Sequence, residues 1–250
     1  MGTETDNIRA KADAIKTLCD EIITEADNLD NTGNPPPPSA AVDCLPVWQN
    51  PGIVTGWDLN QLDANDPDNG SADLNAYDAA CDAAADGTIV AIGHSIVQYN
   101  PFTNIPNVLN LGYAGETTRR MLRRMNNHPA HRNIMKRAGA VIVHTGVIEI
   151  SLYKDNYPPE LGPSGSHNSS IMVEHHFRDL ASCMGGRWVV IGTMHIDEAQ
   201  AAVTAGGDFT GFNDEIDLMN TGIQNALTAY ATASGLQFEY IDPLTQMQRS

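Results

Sequence analysis

The chain has 250 residues, of which 42% are hydrophobic, and a formal net charge of −17 at pH 7. That length holds one medium domain plus an appendage. It contains no apolar run near the roughly 20 residues that span a bilayer, and its acidity disfavours nucleic acid, whose phosphates need a positive surface. The charge is lopsided: residues 1–86 carry 17 acidic and 3 basic side chains, and residues 87–250 carry 14 and 11. The opening Met1-Gly2-Thr3-Glu4-Thr5-Asp6 is polar and acidic, unlike a secretory signal peptide. Synthesis in the cytoplasm is therefore expected, with neither a membrane nor a nucleic acid as partner. Cys19, Cys44, Cys81 and Cys183 are too far apart for a zinc knuckle and read as free thiols.

Residues 1–33 form the first unit. Ile8, Ala12, Ile15, Cys19, Ile22, Ala26 and Leu29 are spaced 4-3-4-3-4-3, a heptad stripe. Ile8, Ile15, Cys19, Ile22 and Leu29 are the candidate oligomerisation residues. The alternative is an amphipathic helix packed on its own domain; alone in water it would be marginal. Asp6 suits the start of this helix, and Gly33 with Pro35 suits its end. Residues 34–86 read as a linker: Pro35–Pro38 favour a stiff polyproline spacer, and residues 39–73 are rich in Asp, Asn, Gly and Pro. The stretch Asp63–Asp73 fails the calcium-loop pattern, because Pro67 and Ala76 fall where ligands belong. Leu74, Tyr77, Cys81 and Ala84 predict a short helix entering the body.

From residue 87 the chain alternates. Apolar strands are predicted at 88–92, 107–111, 140–145, 187–193 and 237–241, and helices at 117–126, 131–138, 168–184 and 213–233. This alternation predicts a three-layer α/β/α fold on a five-stranded parallel sheet, preceded by the helical arm. In such sheets function sits at the carboxyl ends of the strands.

The motifs fall at those ends. Gly93-His94-Ser95 follows the first strand; Asn110-Leu111-Gly112-Tyr113-Ala114-Gly115-Glu116 follows the second; Gly146-Val147-Ile148-Glu149 follows the third. In order and spacing, residues 87–242 resemble the SGNH (GDSL-like) hydrolases. The resemblance implies Ser95 as nucleophile and the Gly112 backbone as an oxyanion donor. It also exposes departures: His94 replaces the family's Asp and Ile148 its oxyanion Asn, while no His follows His195 to supply the terminal Asp-x-x-His. Losing one oxyanion donor costs about 2.7–4 kcal/mol of transition-state stabilisation, and a serine without its base is a poor nucleophile.

His195, after the fourth strand, is the substitute base the sequence offers. His94 and Glu149 are candidate binding residues at the same rim. A rebuilt Ser–His pair, or a metal site from His94, His195 and a carboxylate, competes with the plainer reading of ordinary polar residues lining a cleft. The plainer reading expects no metal and no cofactor. Arg119, Arg120, Arg123 and Arg124 recur at helical spacing; they read as a solvated helix face or as a stripe that docks on acidic surface of a neighbouring subunit. The expectation is an inactive SGNH-like domain, homo-oligomeric and joined to other subunits of a larger assembly such as a phage virion surface. Carbohydrate is the ligand class its cleft would take. The alternative is a serine esterase or carbohydrate deacetylase acting through Ser95 with a relocated base.

Overall fold

The computed structural model describes residues 72–100, 102, 105–153, 169–170, 173–174, 176–177, 186–205 and 208–243. The heptad stripe from Ile8 to Leu29, the proline run, and Cys19, Cys44 and Cys183 lie outside the described residues.

Five strands form one sheet: β1 (Ile89–Gly93), β2 (Val108–Asn110), β3 (Ala140–His144), β4 (Gly186–Ile191) and β5 (Leu236–Ile241). Every pairing is parallel, and the order is β2-β1-β3-β4-β5. The helices are α1 (Ala72–Ala83), α2 (Ser95–Gln98), α3 (Thr118–Asn127), α4 (Pro129–Arg137), α5 (Val147–Tyr153), α6 (Glu198–Ala205) and α7 (Phe212–Ser234). All five predicted strands are present. The short helices α2, α5 and α6 were not predicted. The described residues within 168–184 are helical.

β1, β3 and β4 carry consecutive buried residues because helices cover both faces of the sheet there, whereas the edge strand β5 alternates buried and exposed side chains. Side chains alternate across a strand, so Val90 and Ile92, Val141 and Val143, and Trp188 and Val190 share one face. There they form the larger core with Met121, Leu122, Ile134, Ile150, Ile216 and Met219. Ala91 and Ile142 point the other way, against Val97 of α2 and Ile105. The topology explains the split: the β1–β2 connection runs in one direction along the sheet and the later ones in the other, and right-handed crossovers in opposite directions fall on opposite faces. The three-layer α/β/α prediction holds. Among the described residues no helix is long and apolar enough to cross a membrane.

α1 belongs to this body. It buries Leu74 and Cys81, and Arg137 at the end of α4 grips its last turn. The Arg137 guanidinium donates to the carbonyls of Ala84 and, at 2.6 Å, Cys81, and meets Asp86 at 3.0 Å. Cys81 is a free thiol, pushed up to about 12 chiefly by burial.

The arginines of α3 overturn their expectation. Arg119, Arg120, Arg123 and Arg124 are all buried, so they form neither a solvated face nor a stripe offered to another subunit. Arg124 donates to Glu116 at 2.7 Å and to the Leu111 carbonyl at 2.8 Å. Arg120 lies 4.4 Å over the Tyr113 ring. A guanidinium can be buried this way because its flat fork meets carboxylate, carbonyl and aromatic partners within the chain.

Candidate functional site

The sheet order reverses at β1, which has β2 on one side and β3 on the other. The crevice beyond the carboxyl ends of such neighbouring strands is the usual ligand site of an open α/β sheet. Gly93 of β1 and His144 of β3 are paired in register at that point. A Cβ on Gly93 would lie 2.0 Å from the His144 carbonyl oxygen, and its φ is +149°. Only glycine lets the Gly93-His94-Ser95 turn pass so close to β3.

Ser95 opens α2 and is half-buried; among the described residues its hydroxyl has no hydrogen-bond partner. His94 is the N-cap of α2. Its Nδ1 accepts from the Ile96 N–H at 3.4 Å, while its buried Nε2 has no partner. The His94 ring packs on His144, centroids 4.7 Å apart. Burial holds His94 down at about 4. It holds His144 at about 3, with the neighbouring His94 adding to the depression and a backbone hydrogen bond at Gly192 opposing it. Both imidazoles are therefore neutral at pH 7 and hold lone pairs inside the crevice wall.

Gly112 follows β2 beside the carboxyl end of β1, and its N–H donates to Asn110 Oδ1 at 2.9 Å. In this structure that N–H is engaged by the protein. A Cβ there would lie 2.3 Å from the Gln98 backbone nitrogen, so close packing on α2 is reason enough for glycine. Asn110 is the hub of this corner. Its Nδ2 lies at hydrogen-bond distance from the carbonyls of Val97, Gln98 and Asn100, at 2.8, 3.2 and 3.1 Å. One amide thus closes the end of α2 and fixes the loop after β2. The sequence reading quoted Asn110 without assigning it this role.

Glu149 is placed differently from a rim residue. It is 0% exposed, and its Oε1 accepts the Thr118 N–H at the start of α3. The Thr118 hydroxyl meets that of Thr145 at 3.1 Å. Glu149 therefore joins the first turn of α5 to the N-terminus of α3, where a carboxyl group can satisfy free amides. Burial raises its pKa from 4.5 to about 8, although those amides pull it down. Ile148, the position that the sequence resemblance sets against an oxyanion Asn, is half-buried and has no side-chain donor.

His195 is exposed beyond β4, its Nε2 held 2.7 Å from Asp217 Oδ1. β3 lies between β1 and β4, so the two strand ends are roughly 9–10 Å apart. Among the described residues no hydrogen bond joins His195 to Ser95, and no group of three metal-ligating side chains forms around His94 and His195. Among the described residues, the His195 contact is one of three side-chain ties between the loop after β4 and α7. Asn220 brackets Thr193, accepting its N–H and donating to its carbonyl, each at 2.9 Å. Asn213 brackets Ile196 at 2.9 and 3.0 Å. Asn213, Asp217 and Asn220 stand at i, i+4 and i+7, one stripe of a helix. That spacing was present in the sequence and was the signal for this seam.

The crevice thus brings Ser95, His94 and His144 together, places Gly112 beside them, and leaves Glu149 and His195 in other roles. Around Ser95 the rim is apolar and aromatic: Ile96 is exposed, and Tyr99 is 74% exposed. No family model matches this chain, and no curated protein matches it. A solved structure from Streptococcus pneumonia, provisionally described as a platelet activating factor, is similar at 19% sequence identity and a TM-score of 0.42, covering 68% of this chain and 72% of that one. Neither the fold nor the site described above depends on that likeness.

Proposed function

We propose that this chain is an SGNH-like domain that does not hydrolyse esters and serves as a structural or recognition subunit of a larger assembly. The reading is carried by Ser95. Its hydroxyl has no hydrogen-bond partner among the described residues, whereas acyl transfer needs a base within about 3 Å or one water away. The three histidines at the strand ends have other engagements: His94 caps α2, His144 packs on His94, and His195 is held by Asp217. The Gly112 N–H is likewise engaged. Carbohydrate is the ligand class for the crevice, because exposed Tyr99 offers a flat face for a sugar ring.

The assembly role rests on the heptad stripe at Ile8, Ile15, Cys19, Ile22 and Leu29. A heptad helix, a proline spacer and a globular head suit a subunit fixed to a larger particle, and a phage capsid-decorating or tail-associated protein has this plan.

The test is labelling of the full chain with a fluorophosphonate probe, with Ser95→Ala as control. The expected result is no Ser95-dependent labelling. Labelling that disappears in Ser95→Ala would overturn the inactive reading. The rival, a serine esterase or carbohydrate deacetylase, has one observation in its favour: a carboxylate, Asp217, holds the His195 imidazole, though through Nε2, the nitrogen that a triad presents to its serine. On that reading Ser95 labels, and His195→Ala abolishes the labelling. Sedimentation of the full chain checks assembly; a monomer at every concentration would remove the homo-oligomer.

A further inference from the structure

We propose that Asp78, His128 and His131 form a binding site for a divalent transition metal of the zinc class, which clamps α1 to the α3–α4 corner. The site is remote in sequence and distinct from the crevice. Asp78 comes from the middle of α1, His128 is the residue between α3 and α4, and His131 lies in the first turn of α4.

Asp78 Oδ2 is 2.9 Å from His128 Nδ1, and Asp78 Oδ1 is 3.3 Å from His131 Nε2. The three residues offer ligand atoms that all lie within 4.8 Å of one another. Ligand atoms on a tetrahedral zinc bonded at about 2.0–2.1 Å are about 3.3 Å apart. Small side-chain adjustments would therefore bring these atoms to coordination distance. The two imidazoles are stacked, centroids 5.1 Å apart, so their planes are already fixed relative to each other.

The second observation is burial without hydrogen bonds: the 3.3 Å contact of His131 Nε2 with Asp78 Oδ1 does not have the geometry of one. His131 is 0% exposed, yet neither of its ring nitrogens has a hydrogen bond, and Asp78 Oδ1 is also buried without one. Buried polar atoms in folded proteins are nearly always satisfied, and each orphan is costly. A metal ion would take the Nε2 lone pair and the carboxylate oxygen together. His128 and Asp78 are 18% and 32% exposed, which leaves a path for the ion and room for a water as fourth ligand.

Two imidazoles and one carboxylate select the metal class. Imidazole nitrogen suits zinc, cobalt, nickel and copper, whereas calcium and magnesium prefer all-oxygen shells. The nearby positive charge of Arg124 is matched by Glu116, 2.7 Å away. The sequence reading expected no metal and did not connect these residues; Asp78 and His128 are 50 residues apart in the chain, and the packing of α1 on α4 unites them.

The experiment uses the full chain, stripped with a chelator and titrated with cobalt(II) while the visible absorption of tetrahedral cobalt is followed. Zinc is then added to displace it. One equivalent should bind, and Asp78→Asn and His128→Ala should each weaken binding at least 10-fold. His195→Ala should leave it unchanged. With zinc about 100-fold above its Kd, the Tm should rise by roughly 5–10 °C, and the rise should be absent in Asp78→Asn. No saturable binding by the folded chain would overturn the proposal, as would binding that both variants retain in full. Both substituted residues are partly exposed, and circular dichroism of each variant checks that it folds before binding is scored.

Discussion

Replacing Glu149 with Gln should make the protein more resistant to alkali. The Glu149 Oε1 accepts the Thr118 N–H, and its Oε2 has no partner. Burial lifts its pKa from 4.5 to about 8, so the folded chain holds a proton that the unfolded chain releases. The stability from this group is complete below about pH 4.5 and is lost as pH rises through about 8. At about 1.4 kcal/mol per pKa unit, the loss is about 3 kcal/mol at pH 7 and about 5 kcal/mol above pH 9. Glutamine keeps an acceptor for Thr118 and cannot ionise. The assay is urea unfolding of both proteins from pH 5 to pH 9. The stability difference should move in favour of Glu149→Gln by about 4 kcal/mol across that interval. Any offset at pH 5 reflects how the amide packs and leaves the slope untouched. A flat difference would refute the reasoning, because it would mean that the amides of α3 keep Glu149 ionised despite its burial.

His94 titrates with the opposite sign. Its pKa falls from 6.5 to about 4 in the fold, so its stability is present above pH 6.5 and about 3 kcal/mol is lost as pH falls through 4. His94→Asn keeps an N-cap acceptor and should remove that part of the acid loss in unfolding curves; an unchanged acid limb would count against it. Asn110→Ala deletes the hub of the β2 corner and should lower Tm by roughly 5–10 °C, from about 2–3 kcal/mol of lost hydrogen bonding. A drop below about 1 °C would show that water replaces the amide. Glu116→Ala strands the buried Arg124 and should cost about 3–5 kcal/mol in urea unfolding, more than the double change Glu116→Leu with Arg124→Met. Equal costs would contradict a penalty from the unpaired charge. Gly112→Ala drives a Cβ into the α2 backbone and should cost about 1–3 kcal/mol; a neutral thermal melt would mean that α2 moves aside freely.

The central strands were legible because they are buried on both faces, so each appears as a short apolar run that no loop would tolerate, while the edge strand β5 shows as an alternation of Leu236, Phe238 and Tyr240 with Gln237 and Glu239. Helices α2, α5 and α6 have 4, 7 and 8 residues, too few for a helical period to emerge. Val147-Ile148-Glu149-Ile150 also reads locally like strand, and only its position after β3 makes it a helix. The placement of the motifs was legible, since His94, Ser95 and Gly112 follow the carboxyl ends of β1 and β2. Roles were harder to read. Glu149 was read as a rim residue and the four arginines of α3 as a solvated face or a docking stripe, because charged side chains are mostly exposed; all five are buried. Their partners, such as Glu116 and the Leu111 carbonyl, are supplied by the fold. Asp78, His128 and His131 were invisible together for the same reason: a cluster drawn from distant segments leaves no spacing in the sequence.

The attachment of α1 sets how the body would respond to a pull from the Ala72 side. α1 is held by the Arg137 fork on the carbonyls of Cys81 and Ala84, and just after it the Gly87 N–H donates to the Arg137 carbonyl at 2.9 Å. None of these ties belongs to the parallel ladder of the sheet. Tension entering at Ala72 would therefore strip this helix before it loads β1. Its 12 residues would lengthen by about 20–25 Å on passing from helix to extended chain. The helix would act as a yielding element in series with a stiffer sheet, taking up a sudden displacement and re-docking when the force falls. Single-molecule pulling would register it as a short first step ahead of the main rupture.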